Sequence, residues 1–175
     1  ADAAQAFEAA LSYRTSLEED STLRTKLAEA YAVDGRWDRA LQEYQRVAIA
    51  NPTGIGPQMA LGNAYRQAGR TQQALAHYQQ INRLAPSYPF AYIKQGEILD
   101  GLGQANQALV ADQAAVTAAP DSADALFTLG SAYRRRDRTQ EAIEAFQAGL
   151  AIDPNREGPR RALTELQGGE LKGGE

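Results

Sequence analysis

The side chains of this 175-residue chain that could carry chemistry are few and scattered. Cysteine is absent, which removes a thiol nucleophile, a disulfide scaffold and thiolate metal sites. His77 is the single histidine, and no His, Cys or carboxylate cluster accompanies it at the spacing of a metal site or an acid–base pair, so a surface histidine is expected. Gly54-x-Gly56 and Gly101-x-Gly103 have the look of phosphate loops, but neither follows a strand. Arg134, Arg135, Arg136 and Arg138 form the one marked charge run, with Arg156, Arg160 and Arg161 further along. Such a run could meet an acidic partner, yet Asp137, Glu141 and Glu144 dilute it and a solvated turn is the expectation. The inventory predicts no enzyme: no catalytic residue, no metal ligand and no cofactor site.

Composition narrows the class further. Hydrophobic residues make up 43% and charged residues 23%, the balance of a folded chain that does not enter a membrane, and no apolar run approaches the roughly 20 residues of a membrane-spanning helix. Thirty-four alanines against eleven valines and isoleucines favour helix over strand. A net charge of −4 argues against a general nucleic-acid binder. The only methionine is Met59, which predicts a processed chain or a piece of a longer one. The compartment stays open: cytoplasmic by default, with an exported or membrane-tethered parent protein as the alternative.

The elements that would position any site repeat every 34 residues. Four of the seven prolines fall at Pro52, Pro86, Pro120 and Pro154. Ala40, Ala74, Ala108 and Ala142 keep the same interval, as do Gly35, Gly69, Gly103 and Asp137. A small-residue column runs through Ala28, Gly62, Gly96 and Gly130, and an aromatic one through Tyr44, Tyr78 and Phe146, interrupted by Asp112. Within a unit, Leu27, Ala28 and Tyr31 share one helical face, and Ala40, Tyr44 and Val47 share another. The glycine between them suits a left-handed turn, and the proline stops the second helix. Each unit is thus a helix–turn–helix that stays apolar on one side until a neighbour stacks on it.

This pattern resembles the tetratricopeptide repeat family. Its large-x2-Leu-Gly-x2-Tyr, Ala-x3-Phe and Pro signature is matched by Leu61, Gly62, Tyr65, Ala74, Tyr78 and Pro86, and again by Leu129, Gly130, Tyr133, Ala142, Phe146 and Pro154. The resemblance implies an all-α solenoid of stacked antiparallel helix pairs, wound as a right-handed superhelix. The expected organisation is a partial repeat or N-terminal helix over 1–20 and repeats over 21–54, 55–88, 89–122 (divergent) and 123–156. A capping helix over 157–167 and a disordered tail over 168–175 complete it. The linker after the leading helix is about three residues longer than the repeat needs, counted against the 34-residue frame.

Function in such arrays generally resides on the concave face formed by the first helix of each pair. The frame places Thr25, Glu29, Met59, Asn63, Arg66, Ile93, Glu97, Asp100, Phe127, Ser131 and Arg134 there. Met59, Ile93 and Phe127 are equivalent positions and predict an exposed apolar stripe, flanked by mixed charges that suit a peptide or protein segment. The bland alternative is that the three simply pack against adjoining helices. Family members that grip acidic chaperone tails use lysine, asparagine and arginine at these positions. Here only Asn63 agrees, and Glu29 and Glu97 would repel a carboxylate.

The expected role is a non-catalytic adaptor or assembly scaffold with a protein or peptide partner, no nucleic acid and no membrane insertion. A self-associating homo-oligomeric scaffold and the recognition arm of a larger enzyme remain as alternatives. In the divergent repeat, Gln95, Leu99 and Asp112 replace the usual leucine, tyrosine and aromatic. Two outcomes are open for Asp112: a hydrogen bond from Gln95, or escape to solvent at a loosely packed junction.

Overall fold

The computed structural model describes residues 2–12 and 17–170. It contains the helices α1 (Asp2–Leu11), α2 (Leu17–Val33), α3 (Trp37–Ala50), α4 (Ile55–Gln67), α5 (Thr71–Leu84), α6 (Pro89–Gly101), α7 (Ala105–Ala118), α8 (Ala123–Arg134), α9 (Thr139–Ile152) and α10 (Glu157–Glu170). No strand occurs among the described residues. The chain divides into two units, Ala1–Leu84 with α1–α5 and Ala85–Glu175 with α6–α10.

The turn inside each helix pair follows directly from the glycine column. Gly35, Gly69 and Gly103 take φ of +71°, +73° and +74°, and Asp137 is forced to φ +56° in the fourth pair. The backbone bonds around them repeat as well. The Arg36 N–H donates to the Tyr31 carbonyl, Arg70 to Tyr65, Gln104 to Leu99 and Arg138 to Tyr133, at 2.8–3.1 Å. These are the bonds of a helix C-terminus closed by a left-handed residue, which satisfies carbonyls that the helix itself leaves open. Prolines close the second helices: Asn51, Ala119 and Asp153, each preceding a proline, have extended ψ of 76°, 85° and 85°.

In the first unit, Ala4, Leu27, Tyr31 and Ala40 form one core cluster, with Phe7, Leu11, Trp37 and Tyr44 packed on it. A second cluster joins Leu41 and Ala48 of α3 to Leu61 and Ala64 of α4. Polar groups tie the same helices. Gln58 Nε2 donates to the buried Ala48 carbonyl at 3.0 Å, and Gln45 Nε2 to the Tyr65 hydroxyl at 2.7 Å. Glu43, buried, accepts from Arg24 at 2.8 Å and from Arg46 at 2.9 Å. The long linker expected after the leading helix is shortened here, because α2 opens at Leu17 and takes much of the extra length into helix.

In the second unit, Ile93, Ala115 and Ala125 cluster between α6, α7 and α8. Phe127, Ala142, Phe146 and Ala162 form the other cluster, covered by Leu163 and Leu166 of α10. Those two leucines anchor α10, which runs on through residues 168–170, where the sequence predicts a disordered tail. Residues 171–175 of that expected tail lie outside the described residues.

Glycine and aromatic columns meet where the helices of a pair cross. A Cβ on Gly62 would come within 2.9 Å of the Tyr78 ring, and one on Gly130 within 2.8 Å of Phe146. Bulk is excluded from the small column because an aromatic ring already lies on the bare backbone. The third pair keeps the glycine and loses the ring: Asp112 Oδ1 lies directly against Gly96.

Candidate binding surface

In the first unit the expected surface residues lie on α2 and α4, and several are occupied. Thr25 Oγ1 donates to the Ser21 carbonyl at 2.9 Å, and Glu29 is exposed. Met59 is half-buried, and Arg66 is exposed. Asn63 Oδ1 accepts from the Tyr78 hydroxyl at 2.7 Å, so this amide braces the helix pair. His77 is not the surface histidine expected. It is half-buried, its Nε2 lies 3.0 Å from the Gln58 carbonyl, and its ring stands edge-on to Tyr65 at 6.1 Å. Burial pulls its pKa below the ordinary value, only partly opposed by the Gln58 carbonyl.

In the second unit, Ile93, Glu97, Asp100, Phe127 and Ser131 come together along one cleft of about 590 Å³. Arg134 does not join it; it lines a smaller recess of about 390 Å³ with Phe146, Arg161 and Glu165. The exposed apolar stripe is a misreading at two of its three positions. Ile93 is 5% and Phe127 7% exposed. Ile93 is covered by Ala115 and Ala125, while Phe127 presses onto Gly149, where no Cβ could fit. Both still line the cleft, as its floor rather than as a projecting ridge.

The walls are charged and almost fully paired. Lys94 Nζ lies 2.7 Å from Glu97, and Arg156 bridges Asp124 at 2.8 Å and Asp153 at 3.0 Å. Arg136 reaches Asp100 at 2.9 Å, and Arg135 pairs with the same carboxylate. Arg136 also donates to the carbonyls of Ala132, at 2.8 Å, and of Ala105. The arginine run is therefore no simple solvated turn: it ties α8 to the ends of α6 and α7. Arg138 lies 4.5 Å above the Tyr133 ring and pairs with Glu141.

Asp112 stands at the back of this cleft and is 1% exposed. Its Oδ1 is buried without a hydrogen-bond partner, so escape to solvent is ruled out. Burial pushes its pKa up from 3.8 to about 7; Asp100 and Glu97 push the same way, and Arg135 and Arg136 oppose them. Phe90, Lys94, Asp124 and Arg156 also belong to the cleft and were not anticipated. Phe90 and Asp124 each lie one helical turn before an anticipated residue, so a wider face of the same helices would have found them.

Tetratricopeptide repeat models match residues 1–55, 59–88 and 123–156. The chain belongs to the tetratricopeptide repeat family. No curated protein sequence matches it at a significant level. Among solved structures it is similar to residues 41 to the end of MamA from Desulfovibrio magneticus RS-1, with 24% identity and a TM-score of 0.65 over 86% of this chain and 85% of that one. It is also similar to a thermophilic TPR protein from Thermus thermophilus, at 22% identity and TM-score 0.67, covering 94% and 88% of the two chains. YrrB, described as a TPR protein with an unusual peptide-binding site, aligns at 21% identity and TM-score 0.60 over 97% and 86%. At these identities the likeness establishes the α-solenoid fold.

Proposed function

We propose that this chain is a non-catalytic protein-recognition module that holds a segment of a partner protein against the first helices of its repeats. The observation that carries the reading is the cleft along α6 and α8, whose apolar floor of Ile93 and Phe127 is walled by Lys94, Glu97, Asp100 and Asp124. An apolar strip with ordered charges on both sides suits an extended or helical peptide: the floor supplies affinity and the walls select sequence. In the first unit, Thr25, Glu29, Met59, Asn63 and Arg66 are the corresponding candidates. The peptide-binding description of YrrB supports the same kind of ligand.

The test uses residues outside the core. Phe90 is 39% exposed and Glu97 is exposed, so Phe90→Ser with Glu97→Lys changes the cleft without opening the packing. Partners captured on the wild-type chain should bind the double variant at least about tenfold more weakly by calorimetry, a change of roughly 1.4 kcal/mol. Unchanged affinity in a folded double variant refutes the cleft as the site. A stable homo-oligomer over a dilution series in light scattering, with no captured partner, would favour the self-associating scaffold instead.

A further inference from the structure

Where α6, α7 and the end of α8 meet, two buried polar atoms have no hydrogen-bond partner: Asp112 Oδ1 and Arg136 Nε. Native folds leave few such groups, and each makes its junction easier to open, because water satisfies it. Asp112 lies against the bare backbone of Gly96, on a helix whose other buried residues are Ala108, Ala111 and Ala115. Arg136 donates from its terminal nitrogens to Asp100, Ala132 and Ala105, so it is the Nε that is stranded. The same junction lacks the ring that Phe146 lays on Gly130 in α8–α9, and with it the roughly 150–250 Å² that a buried aromatic covers. Of the two pairs, α6–α7 is thus the less satisfied, and such places open locally while the rest stays folded.

We propose that the α6–α7 pair is a proton-controlled hinge of the cleft, shut while Asp112 is neutral and opened locally, with water reaching Asp112 and Arg136, once that carboxyl ionises. Its regulatory meaning rests on the partner-binding reading of the cleft. α6 brings Phe90, Ile93, Lys94, Glu97 and Asp100 to the cleft, and Ile93 is held in the floor by Ala115 of α7 and Ala125 of α8. Parting α6 from α7 removes one wall and part of the floor, so a segment seated between α6 and α8 binds the shut form alone. Such a segment holds the hinge shut, and ionisation of Asp112 works against it.

The charged groups facing Asp112 are Glu97 and Asp100 from α6 and Arg135 and Arg136 after α8. Lys94 of α6 is taken up by Glu97, and α7 bears no other titratable side chain. Burial raises the Asp112 pKa to about 7 in the shut junction; Asp100 and Glu97 add to the rise, and Arg135 and Arg136 oppose it. In the open junction a hydrated Asp112 returns to its ordinary 3.8. The shut form therefore holds the proton more tightly, and opening becomes easier as pH rises through 7. Between pH 6 and pH 8 the open fraction should rise about tenfold.

Amide hydrogen exchange on the wild-type chain, corrected for the intrinsic effect of pH, reads this directly. At pH 8 the amides of Gly96 and Leu99 in α6 and of Ala111 and Ala115 in α7 should exchange at least about tenfold faster than those of Phe146 and Gly149 in α9, through an opening that low denaturant barely affects. That opening should ease about tenfold from pH 6 to pH 8, and Asp112→Asn, nearly isosteric, should remove the dependence. Exchange of α6 and α7 only together with α9, with the same response to denaturant, overturns the hinge, and so does a local opening that ignores pH. Both are read on the wild type, so the test stands even if the variant fails to fold. A captured partner at about 100 times its Kd should slow α6–α7 exchange about a hundredfold. A partner that is weakened by Phe90→Ser with Glu97→Lys yet leaves α6–α7 exchange unchanged overturns the regulatory role while recognition at the cleft stands. If the double variant binds as the wild type does, the recognition reading fails, and the exchange pattern still decides the hinge.

Discussion

Two junctions of the second unit are built on the same plan and filled differently. In α8–α9, Phe146 lies on Gly130 and is completely buried among Phe127, Ala142 and Ala162. In α6–α7, Asp112 lies on Gly96 at the equivalent position, equally buried, among alanines. The backbone turn, the small column and the alanine column are unchanged, with Ala108 and Ala142 both wholly covered. The repeat frame is therefore set by glycine, alanine and proline positions, and the large column is free to vary. An aromatic there fills the junction with a ring; a carboxylate there buries a polar group whose Oδ1 has no hydrogen-bond partner.

The largest expected effect comes from breaking the filled junction. Phe146→Ala should cost about 3–5 kcal/mol in chemical denaturation, the range for a buried aromatic cut to alanine. A loss under about 1 kcal/mol would mean that the aromatic column does not carry the stacking. Filling the other junction should act oppositely. Asp112→Leu should stabilise the chain by about 3 kcal/mol at pH 8, where the wild-type carboxylate is charged and buried with no hydrogen-bond partner at Oδ1. Destabilisation at that pH would show that Asp112 is held by an interaction the protein needs.

The third effect is on pH dependence. Asp112 titrates near 7 in the folded chain against an ordinary 3.8. Below about pH 4 both states hold the proton; between there and pH 7 only the folded state does. Stability thus falls as pH rises through this window and levels above pH 7. Between pH 5 and pH 8 the loss from this group should be about 2.6 kcal/mol, absent in Asp112→Asn. Equal pH profiles for the two proteins would contradict the shift. The smallest effect concerns the turn: Asp137→Gly relieves a left-handed non-glycine residue and should add about 0.5–1 kcal/mol. A thermal midpoint that falls instead would show that the Asp137 side chain contributes more than its backbone strain removes.

The repeat frame was readable because it rests on local backbone chemistry. Positive φ at residues 35, 69, 103 and 137 and helix ends before Pro52, Pro120 and Pro154 follow from single residue types at fixed spacing. The site was legible only in part. Glu97, Asp100 and Ser131 could be placed by helical geometry, but the burial of Phe127 depends on Gly149, a residue of the following helix with no motif value of its own. Likewise His77 looked solitary until the Gln58 carbonyl, 19 positions away, came beside it. Arg136 looked like one member of a charge run until folding brought Asp100 and two backbone carbonyls to it. Periodicity locates faces, and which face a neighbour covers is decided by side-chain volumes on another helix.

Phe127 has one further consequence. Its ring rests on the bare backbone of Gly149, and the Arg156 guanidinium lies 5.7 Å from its centre on an arm fixed by two carboxylates. Such a ring has little rotational freedom left to surrender when something settles on it. The floor of the cleft is preorganised, so the entropy lost on binding the proposed segment would fall on that segment, and stiffening it would be the direct route to tighter association.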